Sequence, residues 1–142
     1  MFDIGTRKKN TEIIIRIVKE TMYTFNQDHV MNGFYVLLVH WIACAIPSFI
    51  IITGQINIYF YLSSLCWICI FVAHLYFKGC IFTRIERELW LDKSWYGPWV
   101  FPFKMLESYG VNVTPNLSNN IFICWGIILT IFVFLKVLWK ID

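Results

Sequence analysis

The sequence predicts an all-α integral membrane protein with three transmembrane helices, and three observations carry that reading. No Lys, Arg, Asp or Glu occurs between Val30 and Phe77, and the apolar run there is interrupted only at Thr53-Gly54-Gln55-Ile56-Asn57. A further apolar run extends from Ile121 to Leu135 and continues past Lys136 through Trp139. The composition is 58% hydrophobic and 15% charged, with a mean hydropathy of +0.62, whereas a soluble domain carries about 25% charged residues. A hydrocarbon core about 30 Å thick takes about 20 apolar residues in a helix. The first run therefore crosses twice, with a tight turn between, and the second crosses once. A chain of 142 residues makes a single membrane domain.

The net charge of +3 is small and interspersed with acids. On charge grounds no nucleic-acid partner is expected, and the balance suits a lipid bilayer with anionic headgroups. Asp3, Glu12, Glu20 and Asp28 fall in the first 30 residues, without a basic start leading into a clean apolar core. No signal peptide is expected, and insertion falls to the first span.

In chain order, residues 11–25 read as an interfacial amphipathic helix. At about 100° per residue, Ile14, Ile17, Val18, Met22 and Phe25 share one side, and Glu12, Arg16, Lys19 and Glu20 the other. Asn10 or Thr11 is placed to cap it. Such a helix lies on the membrane or packs on a partner protein. Residues 33–53 form the first span, with Pro47 freeing the carbonyl of Ala43 and favouring a kink. Residues 57–77 form the second span, ended by Lys78-Gly79. Thr83-Arg84-Ile85-Glu86 has capping-box spacing, so a short amphipathic helix is expected over residues 81–93.

The aromatic-rich loop 94–119 follows, and Pro98 and Pro102 forbid a continuous helix through it. Trp90, Trp95, Tyr96, Trp99 and Phe101, with Trp139 at the far boundary, read as a membrane-interface belt. The third span covers residues 121–139, with Lys136 snorkelling outward and Lys140 beside Trp139. Arg7, Lys8, Lys9, Arg16 and Lys19 before the first span, and Lys78, Arg84, Arg87, Lys93 and Lys104 in the long loop, place both segments in the cytosol, against an uncharged turn at 53–57. The glycosylation sequons at Asn112 and Asn116 would then stay unmodified.

Candidate chemistry is sparse. Cys66-Trp67-Ile68-Cys69 is a C-x-x-C pair within an apolar helix, without the second, water-accessible pair that electron shuttling needs. Among the histidines, His40 and His74 come within about 4–5 Å of one another along the axis when the two spans fold back about residues 55–56, at about 1.5 Å per residue. Small residues mark where membrane helices approach. The expected hairpin interface therefore comprises His40, Ala43, Cys44 and Pro47 from the first span, and Ser63, Cys66, Cys69, Ala73 and His74 from the second. For the two imidazoles three readings stand: a haem site, a proton path, or histidines satisfied by hydroxyls, carbonyls or Glu86 at the membrane edge.

The segment His74-Leu75-Tyr76-Phe77-Lys78-Gly79-Cys80-Ile81-Phe82-Thr83-Arg84-Ile85-Glu86 resembles a stretch of small multi-pass membrane proteins of large DNA viruses. There, a His ending a membrane helix is followed by a Cys and then by a Thr-x-x-Glu helix start. The resemblance implies a virion or assembly membrane, and no activity. No nucleotide loop, metal cluster, triad or intramembrane carboxylate is visible in the sequence, so neither catalysis nor a resident cofactor or metal is expected. The expected role is a non-enzymatic structural subunit of a larger membrane assembly, in a virion, host or organelle membrane, with other protein subunits as partners. An oligomeric pore or carrier, or a subunit of a haem-containing organellar complex, is the alternative.

Overall fold

A computed structural model describes residues 3–139, the side chain of Pro115 excepted. The described chain is all-helical, 83% helix with no strand. Its elements are α1 (Ile4–Phe25), α2 (His29–Thr53), α3 (Ile58–Phe77), α4 (Ile81–Trp90), a 3-10 turn (Gly97–Trp99), α5 (Val100–Ser108) and α6 (Pro115–Trp139). Three of these, α2, α3 and α6, are long and apolar enough to cross a membrane. At 20 residues, α3 is about 30 Å long and matches the hydrocarbon thickness.

Side-chain caps set three of the starts. Asp3 accepts from the Thr6 amide at the head of α1, Asp28 from the amides of Val30 and Met31, and Asn57 from those of Tyr59 and Phe60. α1 thus begins at Ile4, well before Asn10 or Thr11, and Thr11 is buried inside it. α2 runs unbroken through Pro47. The segment 94–119 is no continuous loop. The 3-10 turn and α5 form within it, because Pro98 and Pro102 lie in first turns, where the missing amide has no helical acceptor to satisfy.

Two apolar clusters hold the bundle. Ile51, Phe60, Trp67, Phe122 and Leu129 join the three long apolar helices α2, α3 and α6, and Gly126 lets Phe71 lie directly on the α6 backbone. Val36, Ile85 and Leu89 join α2 to α4, with Ile15, Val18, Met22 and Tyr23 of α1 packed on them. The buried side of α1 is therefore rotated from the expected one. Ile15 and Tyr23 point inward, while Ile17 and Phe25 are exposed. The partner this helix covers is α4 of its own chain, and Lys19 to Glu88 adds a solvent-exposed ion pair worth about 0–1 kcal/mol.

Lys136 does not snorkel. It is 6% exposed, donates to the Gly54 carbonyl at 2.6 Å, and lies over the rings of Phe60 and Phe132. A cation there meets the carbonyl end of α2, which carries partial negative charge. Lys136→Met keeps much of the volume but leaves that carbonyl without its donor. It is expected to lower stability by about 1–3 kcal/mol, read as a lower melting temperature in detergent. Lys140 lies outside the described residues.

Candidate functional site

α3 ends in a Schellman turn, with the Gly79 amide bonded to the His74 carbonyl and the Lys78 amide to that of Leu75. The turn uses left-handed backbone at Lys78 (φ 51) followed by Gly79 (φ 133). It reverses the chain within two residues and sets Cys80 as the N-cap of α4. Thr83 and Glu86 do not act as a capping box: α4 starts without a side-chain cap, and Glu86 faces inward instead.

What Glu86 faces is His40. The Cys80 Sγ lies 3.1 Å from His40 Nε2, and His40 Nδ1 donates to Glu86 Oε1 at 2.8 Å. Trp95 Nε1 donates to the other carboxylate oxygen at 2.7 Å. His40 is 2% exposed and Glu86 0%, so this chain of contacts is sealed on the carboxylate side and open at the sulfur end. The Phe82 ring stacks on the imidazole at 5.2 Å between centroids. Gly97, at φ +69, lets the backbone pass beside Thr83, Glu86 and His40. A side chain there would strain the backbone and collide with Thr83, so Gly97→Ala is expected to displace Glu86 and slow any chemistry of the site. A change in the alkylation rate of Cys80 would report it.

Burial pushes the Cys80 thiol upward. The imidazoles of His40 and His74 outweigh that and bring it down from 9.0 to about 6. The partial positive charge of the α4 N-terminus acts in the same direction. Half-buried Cys80 is therefore largely thiolate at neutral pH, beside a base held in orientation by a buried carboxylate. A nucleophile, a base and an orienting acid in sequence is the arrangement of covalent acyl-transfer catalysis.

His74 is the second imidazole at this pocket. Asn119 Oδ1 can only accept, so His74 Nε2 carries the proton of their 2.8 Å bond. Nδ1 is buried without a hydrogen bond of good geometry. Phe122 stacks on the ring at 4.1 Å between centroids. His40, His74, Cys80, Arg84, Arg87 and Asn119 all line one cavity of about 160 Å³. Arg84 donates to the carbonyls of Phe77 and Lys78, and Arg87 to that of Trp95. Among the described residues neither guanidinium forms an ion pair. Burial and the like charges of Arg7 and Arg87 hold the Arg84 pKa below its usual value.

The expected hairpin interface forms in part. His40, Cys44, Pro47, Ser63 and His74 are buried, and Ala43 and Ala73 are half-buried. Cys66 and Cys69 are exposed, because the seam of α3 is Phe60, Ser63, Ser64 and Trp67, with Trp67 taking the place the small residues were expected to fill. The two histidines border one cavity but pair with α4 and α6 respectively, not with each other.

The aromatic belt is also divided. Trp90 seats on Gly33 and donates to the Val30 carbonyl, Trp95 holds Glu86, and Tyr96 donates to Glu107 and the Val113 carbonyl. Trp99, Phe101 and Trp139 remain exposed. Among the described residues, no group of three His, Cys, Asp or Glu is arranged to hold a metal ion.

Sequence reasoning passed over Cys80 and Glu86 as reactive groups. The available signal was a cysteine immediately after a helix-ending Lys-Gly, with a glutamate six residues further on and a histidine in the first span. Comparison with protein-family models, with curated proteins and with solved structures found no match.

Proposed function

We propose that this chain is a multi-pass membrane protein that uses Cys80 as a nucleophile in acyl transfer or hydrolysis at one face of the bilayer. The observation that carries this reading is the unbroken contact path from the Cys80 sulfur through His40 to Glu86 and Trp95. In the first step the thiolate attacks an acyl carbonyl, forming a thioester as the ester or thioester bond of the donor breaks. The proton held by His40 Nε2 goes to the leaving group. In the second step water, or another hydroxyl or thiol, attacks the thioester. His40 takes the proton of the attacking group, and Cys80 leaves as thiolate. Glu86 holds the imidazole with Nε2 toward sulfur and stabilises the imidazolium, as a buried carboxylate does in related geometries. The Asn119 amide and the Arg84 guanidinium line the same cavity and offer donors to a developing oxyanion.

The test is the pH dependence of Cys80 alkylation by iodoacetamide, followed by peptide mass spectrometry. A thiol lowered to about 6 should alkylate with a midpoint near that pH. The sign follows from the depressed value: thiolate is present above the midpoint and lost as pH falls through it. His40→Gln should move the midpoint back toward the ordinary thiol range, since Gln keeps a hydrogen bond but brings no charge. A wild-type midpoint near 9 would refute the nucleophile.

A structural subunit of a larger membrane assembly is the second reading. It is favoured by one observation: both carboxylate oxygens of Glu86 are satisfied, so the cluster also serves as a tie between α2 and α4. On that reading His40→Gln preserves assembly, His40→Leu does not, and Cys80 behaves as an ordinary thiol.

A further inference from the structure

The polar cavity at Cys80 does not end at the sulfur. Trp99 borders it and also borders two apolar cavities, of about 190 Å³ and about 100 Å³. Phe122 and Ser118 are shared between the polar cavity and the larger apolar one. Trp99 and Trp125 are shared between the two apolar ones. The smaller cavity follows one stripe of α2, Trp41, Ala45 and Ser48, against Trp67 of α3. From Trp41 to Ser48 it runs along the helix by about 10 Å, from the middle of α2 toward its Thr53 end. Lys78, Arg84 and Arg87 line the polar cavity together with Cys80, and neither arginine is paired with a carboxylate among the described residues. The cavity that holds the nucleophile is therefore lined by unneutralised cations and adjoins, at Trp99, Ser118 and Phe122, a trough of aromatic and small side chains.

Building on the thiol reading, we propose that the acyl group Cys80 takes up is a long fatty acyl chain, drawn from a donor whose leaving group carries phosphate. The chain lies in the trough bordered by Trp41, Ala45, Ser48, Trp67, Trp99 and Trp125, and the anionic leaving group sits against Arg84, Arg87 and Lys78. The same chemistry is offered by an acyl-coenzyme A thioester and by an anionic phospholipid ester. Attack by Cys80 breaks the acyl–sulfur bond of the first or the acyl–oxygen bond of the second. The departing thiol or hydroxyl carries the proton from His40, and water completes the cycle by hydrolysing the thioester. No oxidant or further reactant is needed.

The experiment uses the full chain purified in mild detergent, with three donors: palmitoyl-coenzyme A, acetyl-coenzyme A, and vesicles of anionic phospholipid. Release of free coenzyme A or lysophospholipid is followed, and rapid quenching with peptide mapping locates a hydroxylamine-labile adduct. The expected result is an adduct on Cys80 and a palmitoyl preference over acetyl of at least about tenfold in kcat/KM. Ala45→Phe, which fills the trough, should lower that preference by about tenfold, and Arg84→Gln with Arg87→Gln should raise KM. Product from the vesicle arm identifies a bilayer lipid as donor, whereas product from the coenzyme A arm alone identifies a soluble one.

Equal rates for acetyl and palmitoyl donors, no reaction in any arm, or an adduct spread equally over Cys66 and Cys69 would overturn the lipid substrate. If the alkylation midpoint of Cys80 still lies near 6, the thiol reading survives that failure. A midpoint near 9 removes both. The same midpoint measured on Ala45→Phe shows whether that variant has kept its folded site.

Discussion

Cys80→Ser is expected to abolish turnover of ester and thioester donors, by at least about 10³-fold, while leaving the helical content unchanged. The reason is local. The imidazole of His40, the neighbouring His74 and the head of α4 suffice to ionise a thiol, since the Cys80 value already lies near 6. A serine hydroxyl in the same place is a far weaker acid and stays protonated. Its oxygen is also smaller than sulfur, which lengthens the 3.1 Å approach to Nε2. Hydrolysis of a chromogenic ester by the two proteins, with circular dichroism as the folding control, measures the effect. Undiminished hydrolysis by Cys80→Ser would show that the sulfur takes no part.

Glu86→Ala carries the largest expected cost in stability, about 3–5 kcal/mol. Both partners of the pair are buried, and truncating the acid leaves the His40 Nδ1 and Trp95 Nε1 donors without acceptors in a sealed site. Glu86→Gln keeps an acceptor for Trp95 Nε1 and can donate to His40 Nδ1 once that imidazole is neutral with its proton on Nε2, so it should cost less than alanine, yet it removes the negative charge that stabilises the imidazolium. Folding and chemistry therefore separate between the two variants. Glu86→Ala should lower the melting temperature in detergent sharply, whereas Glu86→Gln should melt near wild type and react slowly. A Glu86→Ala protein that melts like wild type would contradict the buried relay.

The spans, their breaks and the ends of α3 were legible because each depends on neighbours in the chain. Absence of charge from Val30 to Phe77 reports bilayer length directly, Asn57 caps α3 through amides two and three residues on, and Lys78-Gly79 closes it. The short amphipathic α4 was visible for the same reason, although its first residue is set by the Gly79 turn and not by Thr83. His40 and His74 stand out in the sequence because folding the spans back about residues 55–56 brings them level, and Glu86 is among their expected partners.

By itself, then, the sequence determined an all-helical chain with three helices of membrane-crossing length, and the turns that separate them. Only the tertiary structure decided how each helix is rotated about its axis. α2 and α3 are apolar nearly all round, so periodicity does not say which stripe is inward, and interdigitation of Ile51, Phe60, Trp67 and Leu129 settles it. That rotation turns Cys66 and Cys69 outward and His40 toward α4. It also brings together groups far apart in the chain: Cys80 with His40, His40 with Glu86, and Lys136 with Gly54. Each of these contacts spans 40 residues or more, and a pairing at that separation is set by packing, because no local propensity acts over such a distance.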